Sequence, residues 1–592
     1  MQIFTETNEQ QEQGRYRRRG GCLRGCLIAL AIYFGLSFIF GLLIGDMFET
    51  PNVSLSDYSI YRLDLSGQLV EQGANSNPFM DIIGEVPGYN RTQTTGLDQI
   101  MENIRLAEND DKIKGIYLYG GSMSMSPASA KAIRDRLLLF KQRSGKWIIS
   151  YSNHYNGTNY YVATVADRMY LNPTANIGWH GALAQKMYYT RLLEKLGVEM
   201  QILKVGTFKS AVEPYFRTSM SEADKEQTKR MLNGIWAEYR RGVSESRHIS
   251  EADLDHYADE YMAILPAETY VAYRMVDTLV YREEMDEILR IMSGSKDYKL
   301  LNTSKLSLVK RPEPKLPNRI AVLYAEGTIM TDDAGSEGIT AKQILKQIKK
   351  IKKDEQVKAV VLRVNSPGGS ADASEDIWHG VKTLQAKGLP VVVSMSDLAA
   401  SGGYYISCGA DYIYAEPTTL TGSIGIFGTI PNVKKLREKI GLDMDGVSTH
   451  KHSSMEVTMV SNGMNSEEQA MMQAMIERGY DLFTRRCAEG RHMSQDAIKK
   501  IAEGRVWLGS DAKELGLVDE LGNMKDAIDK AAALAGIESF DINYYPEAED
   551  PMEQLLKAWN GTPTDEEAMI ARIKALVKEP RVLMLMEPIE IQ

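Results

Sequence analysis

The chain has 592 residues, a formal net charge of -10 at pH 7 and four cysteines. That length exceeds what one hydrophobic core organises, so several domains are expected, and a composition of 25% charged and 43% hydrophobic residues excludes a disordered or fibrous protein. The acidic balance argues against a nucleic-acid partner, while Cys22, Cys26, Cys408 and Cys487 have neither zinc-site spacing nor the density of a disulfide scaffold.

The first element is apolar. Residues 26–45 carry no charge, and about 20 residues at a rise of ~1.5 Å span a bilayer core. A basic tail, 1–25, precedes them with Arg15, Arg17, Arg18, Arg19 and Arg24; DMFET follows. The basic flank belongs on the cytoplasmic side, so the expectation is one transmembrane anchor with the rest of the chain outside the cytoplasm. A cleaved signal peptide competes with this reading, but the apolar core is longer than an h-region of about 7–15 residues and no A-x-A site follows.

The body repeats itself. Asp111–Ser150 overlays Glu355–Ser394 at an offset of 244 residues, and Tyr160–Gly181 overlays Tyr404–Gly425 at the same offset. MVDTL around Val276 matches LVDEL around Val518. Two copies of one unit are expected at 56–305 and 319–540, joined by a Pro- and Lys-rich linker at 306–318 and followed by an extension at 541–592. Within each copy an apolar run, a turn, a helix of about 15 residues and a second apolar run give βαβ spacing, hence a parallel sheet covered by helices. Neither a GxGxxG turn nor a P-loop is present, so a nucleotide site has no support.

The second copy has two glycine-rich junctions after apolar strands. One is Asn365-Ser366-Pro367-Gly368-Gly369-Ser370; the other runs from Asp397 to Tyr405 and contains Ser401-Gly402-Gly403. Glycines let a ligand approach the backbone, and two N–H groups facing one point form an oxyanion hole beside which a Ser can act as nucleophile. A Ser at a helix start is also a plain N-cap, and PGG is also a plain turn; the local pattern leaves both readings open. The first copy has Gly157 at the place of Ser401, and Met123-Ser124-Met125 at the place of Pro367-Gly368-Gly369. That asymmetry suggests one active and one scaffolding copy. None of the eight His lies in a GxSxG context, and His154 and His180 belong to the copy without the Ser. A desolvated Lys can serve as base. Lys209, between a glycine turn and an apolar stretch, is the candidate, although most lysines are simply exposed.

GTFKSAVEPYFR around Lys209, VVLRVNSPGGS, ASGGYYIS around Ser401, TGSIGIFG and RVWLGSDAKELGLVDELG from Arg505 together resemble the signal peptide peptidase A (protease IV) family in its long, duplicated form. The resemblance covers nearly the whole chain. It implies an α/β fold of tandem Clp protease/crotonase-like ββα spiral units behind one transmembrane helix. It further implies Ser401 as nucleophile, Lys209 as general base, Gly402 as one oxyanion donor and Gly369 as the second. Gly368 borders the hole, and Ser423 of TGSIG holds the base amine. No metal or organic cofactor is implied. The implied protein is a homotetramer on the outer face of a bacterial inner membrane. It degrades cleaved signal peptides and other short or unfolded peptides, with an apolar S1 pocket. PEAEDPMEQ and the tail to Gln592 match no motif of the family.

Two other readings set the contrast. A crotonase-type acyl-CoA enzyme would need a Glu or Asp acid/base and a nucleotide site. A non-catalytic peptide-binding membrane scaffold would keep the fold without needing Lys209.

Overall fold

Two apolar runs at the repeat offset, IKGIYLY and VKAVVLRVNS, become central strands of two parallel sheets, because each is buried on both faces and has no polar alternation to keep one face wet. The computed structural model describes residues 55–73, 94–309, 315–332, 338–547 and the backbone of 581–585. Apart from Leu308 and Val309, these belong to one compact unit. The basic tail 1–25, the anchor 26–45 and most of the extension 541–592 lie outside the described residues. Among those described, no helix is long and apolar enough to cross a membrane.

In chain order, the strands before the linker are β1 (Ser59–Asp64), β2 (Gln68–Val70), β3 (Thr94–Gly96), β4 (Ile113–Tyr119), β5 (Trp147–Asn156), β6 (Arg168–Gly178), β7 (Glu199–Lys204), β8 (Thr278–Leu279) and β9 (Lys299–Asn302). After it come β10 (Arg319–Glu326), β11 (Ile329–Met330), β12 (Ile339–Thr340), β13 (Val357–Ser366), β14 (Gly368–Ser370), β15 (Val391–Ala400), β16 (Tyr412–Ala415), β17 (Leu420–Gly422), β18 (Phe427–Asn432), β19 (Val506–Leu508), β20 (Glu520–Leu521), β21 (Asp541–Tyr545) and β22 (Arg581–Leu585).

The first sheet has the order β8-β6-β5-β4-β1-β9, all parallel. The second repeats it as β20-β16-β15-β13-β10-β21, also parallel, with β17 and β19 continuing from β15. The duplication is therefore visible strand by strand. One detail moves the expected boundary at 540. β21 is the counterpart of β9, since each is the parallel edge partner of its copy's first strand, so Asp541–Tyr545 belongs to the second sheet and not to an appended tail. The acidic residues that follow hide this short strand in the sequence. The PGG segment, read as a turn, is extended in part: Gly368–Ser370 pairs with β11 and β22.

A third sheet, β12-β11-β14-β22-β18-β7, joins the copies. β7 comes from the first copy and runs antiparallel to β18 of the second, Lys204 opposite Phe427. Leu203 of β7 is buried in the second copy's core with Ile424, Ile426 and Phe483. Burying one such side chain stabilises by about 2 kcal/mol. The chain leaving β7 is thereby held against the second copy, and Lys209 follows five residues later.

Candidate active site

Ser401 stands where β15 ends and the helix Gly402–Ser407 begins. Its backbone has φ 56° and ψ -115°, a conformation that L-residues rarely adopt. The side chain makes no cap hydrogen bond, so the plain N-cap reading fails. The strained turn is held by Ser401 N–H donating to Gly422 O at 2.8 Å and by Thr421 Oγ1 donating to Ala399 O at 2.7 Å. Two glycines after Ser401 let the helix press against the PGG segment. A Cβ on Gly403 would lie 2.6 Å from Ser366 O, and one on Gly402 would lie 3.0 Å from Gly368 Cα and 3.1 Å from Gly369 N.

That last contact sets Gly402 and Gly369, the two expected oxyanion residues, side by side next to Ser401. Gly369 has φ 156°, and any Cβ there would meet Ile329 O at 1.9 Å, so only glycine fits. Gly368 N–H donates to Ser366 Oγ at 3.2 Å, so that amide is already engaged.

Lys209 reaches Ser401 from the other copy. After β7 the chain turns at Gly206, with φ 98°, and Phe208 N–H donates to Glu503 O at 3.0 Å. Lys209 then leads into the 3-10 helix Ser210–Tyr215. Its Nζ lies 2.9 Å from Ser401 Oγ, 3.0 Å from Ser423 Oγ and 3.1 Å from Ser423 O. All three residues are buried: Lys209 is 1% exposed, Ser401 0% and Ser423 2%. The Phe427 ring centroid is 5.9 Å from the amine. Desolvation lowers the Lys209 pKa from 10.5 to about 7.

The three contacts suit a neutral amine, which has two N–H donors and one lone pair. With the amine neutral, its two donors can go to Ser423 Oγ and O, and its lone pair can accept from the Ser401 hydroxyl. No carboxylate or imidazole hydrogen-bonds Ser401 or Lys209 among the described residues. Such a pair can remove a hydroxyl proton and return it to a leaving group without a third residue. Beside it lies a cavity of about 20 Å³, bordered by Lys209, Ser423, Ser210, Gln227, Thr228 and Gly504. That is room for one water. The Thr228 hydroxyl there is buried without a partner among the described residues.

Several residues of this neighbourhood are not among the site residues expected above. The strand leading to Ser401 is clamped by the first copy, where Ser129 N–H and Oγ both donate to Asp397 Oδ1 at 2.8 Å. Next to it, Arg363 Nε pairs with Glu71 at 2.8 Å, and its guanidinium donates to Ser394 Oγ at 2.8 Å and Ser396 Oγ at 2.7 Å. Near Lys209, Lys186 pairs with buried Asp224 at 2.9 Å. An Arg inside the apolar run VVLRV is the one sequence signal that points to the seam.

The description "Peptidase family S49" matches residues 140–294 and 383–538, one stretch in each copy, and "Clp protease" matches residues 313–419. The chain is 34% identical over 563 residues to Protease 4 of Haemophilus influenzae, covering 90% of each. It is 36% identical over 552 residues to Protease 4 of Salmonella typhi, covering 89% of this chain and 87% of that one. It is also 32% identical over 452 residues to the chloroplastic serine protease SPPA of Arabidopsis thaliana, covering 74% of this chain and 66% of that one. Among solved structures, a ClpP1 mutant from Listeria monocytogenes aligns at a TM-score of 0.24 and 17% identity, covering 35% of this chain and 94% of that one. With a match in each copy and relatives that share nine-tenths of their length with it, this chain belongs to peptidase family S49.

Proposed function

We propose that the protein is a membrane-anchored serine endopeptidase whose nucleophile, Ser401, and general base, Lys209, come from opposite copies of the duplicated unit. The observation that carries this reading is the buried 2.9 Å contact between Lys209 Nζ and Ser401 Oγ, with an amine whose pKa is about 7. At neutral pH a large share of that amine is unprotonated. It takes the Ser401 proton as Oγ adds to a peptide carbonyl. The N–H groups of Gly402 and Gly369 stabilise the tetrahedral oxyanion. Lys209 then hands the proton to the leaving amine. A water deprotonated by the same Lys hydrolyses the acyl-enzyme and regenerates Ser401.

Ser423 orients the amine through its hydroxyl and carbonyl oxygens. The first copy keeps the base and the clamp on Asp397, so it is indispensable without a nucleophile of its own. The apolar segment 26–45 with its basic flank supports an anchor in a bacterial inner membrane and a body on the periplasmic side. Cleaved signal peptides and other short or unfolded peptides are the proposed substrates, and a homotetramer the proposed assembly.

The test is cleavage of a fluorogenic peptide with Leu or Ala before the scissile bond. S401A and K209A are expected to fall to background while keeping the wild-type thermal midpoint or exceeding it. A K209A protein that keeps most of its activity removes Lys209 from the mechanism. A folded wild type inert toward a broad peptide panel favours the scaffold reading.

A further inference from the structure

Gln227 lies on the helix Glu222–Arg247 of the first copy and is buried. A buried amide has two donor hydrogens and an acceptor oxygen that all need partners. Gln227 Nε2 donates to Phe208 O at 3.1 Å, Ser210 Oγ at 3.0 Å and Asp224 Oδ1 at 3.1 Å, its two hydrogens shared among the three oxygens. Gln227 Oε1 accepts from Val506 N–H at 3.2 Å. These partners fix which way the amide points, since Phe208 O can only accept and Val506 N–H can only donate.

Phe208 and Ser210 are the two chain neighbours of Lys209. Val506 belongs to the second copy, in β19, opposite Gly422 of β17. Gly422 O in turn accepts from Ser401 N–H at 2.8 Å. The contacts therefore close into a ring. It runs from Ser401 to Gly422, across to Val506, through Gln227 to both sides of Lys209, and from the Lys209 amine back to Ser401 Oγ at 2.9 Å. Base and nucleophile come from opposite copies, so their separation depends on what joins the copies locally. β7 docks onto the second copy before the turn at Gly206. Gln227 acts after that turn, on the residues either side of the base.

We infer that Gln227 is a positioning residue for the Ser401–Lys209 pair, fastening the Lys209 backbone to the β17–β19 ladder that carries the nucleophile's own anchor. The inference rests on the peptidase reading above. Gln227 acts through Lys209 and touches no substrate in that reading. Without its amide, the residues flanking Lys209 lose their tie to Val506, and the amine is free to withdraw from Ser401 toward the small cavity it borders. Water there relieves the desolvation that lowers the Lys209 pKa to about 7, so that pKa moves up toward 10.5.

Three variants of the full chain test this. Q227M keeps the length of the side chain and removes its hydrogen bonds. Q227A vacates space that water can enter to satisfy Val506 N–H and Phe208 O, and covers the case in which Q227M does not fold. R230A is the control: Arg230 pairs with Asp511 at 2.8 Å and fastens the same helix to the second copy without touching Gln227. In folded Q227M or Q227A, kcat for the fluorogenic peptide is expected to fall about 100-fold, the loss for a displacement of about 1 Å at a reacting group. KM should stay unchanged, and the midpoint of the pH profile should rise above 7. R230A should keep the wild-type kcat and midpoint. Wild-type kcat and midpoint in the Gln227 variants overturn the proposal. So does an equal loss in R230A, which would assign the effect to helix docking. Reaction of Lys209 with acetic anhydride across pH, read from the mass of the peptide that contains it, follows the same amine without any cleavage. If no form cleaves peptides, the peptidase reading fails by itself. An acetylation midpoint unchanged from wild type in Q227M and Q227A then still overturns the positioning role.

Discussion

Gly504 and Lys209 are packed so closely that no side chain fits at residue 504: a Cβ there would stand 2.6 Å from Lys209 Cβ and 2.8 Å from its Cα. Gly504 also has φ 77°, and its N–H donates to Ile424 O at 2.9 Å. The segment carrying TGSIG and the turn before Val506 thus form a wall that fixes where the Lys209 backbone can lie. G504A must push Lys209 away from Ser401. A displacement of about 1 Å at a reacting group costs about 100-fold in rate. The expected result is a kcat reduced by that order in a protein that still folds by circular dichroism. Wild-type kcat in G504A would contradict the wall.

Burial of Lys209 costs stability, and the sign is fixed by its lowered pKa. Above pH 10.5 the amine is neutral in folded and unfolded chains and the cost is nil. As the pH falls from 10.5 to about 7, only the unfolded chain binds the proton, so the cost grows. Below that it is constant, at about 5 kcal/mol. K209M removes this cost and loses the contacts to Ser423. The net expectation at pH 7 is a stabilisation of about 2 kcal/mol, read as a raised thermal midpoint. The gain should shrink toward pH 10. A K209M midpoint below that of the wild type at pH 7 contradicts the account.

Ser423 holds the amine and touches no substrate in the proposed mechanism. S423A removes one of its two contacts to Nζ and leaves the carbonyl contact. Losing one hydrogen bond of about 1.4 kcal/mol corresponds to about tenfold in rate. The fall should appear in kcat, with KM unchanged. A change confined to KM would assign Ser423 to substrate binding instead.

The seam beside the nucleophile strand makes a stability prediction. Arg363 and Glu71 have side chains only 5% and 3% exposed. R363M leaves the Glu71 carboxylate buried without its partner, a loss of about 3–5 kcal/mol. Replacing both, as R363M/E71L, should recover much of it. Asp397 is affected as well, because burial, with the Glu71 charge beside it, already holds its carboxyl above the usual range. Thermal midpoints of the three proteins check this. A single variant as stable as the double one would show that the pair is not coupled.

Strong local periodicity and the internal repeat make the two parallel sheets legible in the amino-acid sequence. The central strands are continuous apolar runs, and the offset of 244 residues carries the matching segments from Asp111 to Ser150 and from Tyr160 to Gly181. Ser401, Gly402 and Gly369 are legible as glycine-rich junctions. Lys209 is not legible from local pattern, because its burial comes from Leu203 and β7 docking onto β18, 223 residues further along at Lys204 and Phe427. Its motif resemblance singles it out. Arg363, Glu71, Ser129 and Asp397 are long-range partners, and no spacing in one segment reveals them. β21 escapes a reading by segment because its parallel partner β10, more than 200 residues earlier, makes it a strand, and its own five residues do not.

The central claim is that Lys209 is the neutral base of Ser401, and the pH dependence of kcat/KM for peptide cleavage tests it most directly. Protonated Lys209 cannot accept the Ser401 proton, so activity is expected to rise with pH through a midpoint near 7 and then level off. The same midpoint should govern labelling of Ser401 by a fluorophosphonate, and K209A should lose it. A wild-type midpoint near the ordinary lysine value of 10.5, or a midpoint near 7 that survives in K209A, would contradict the account.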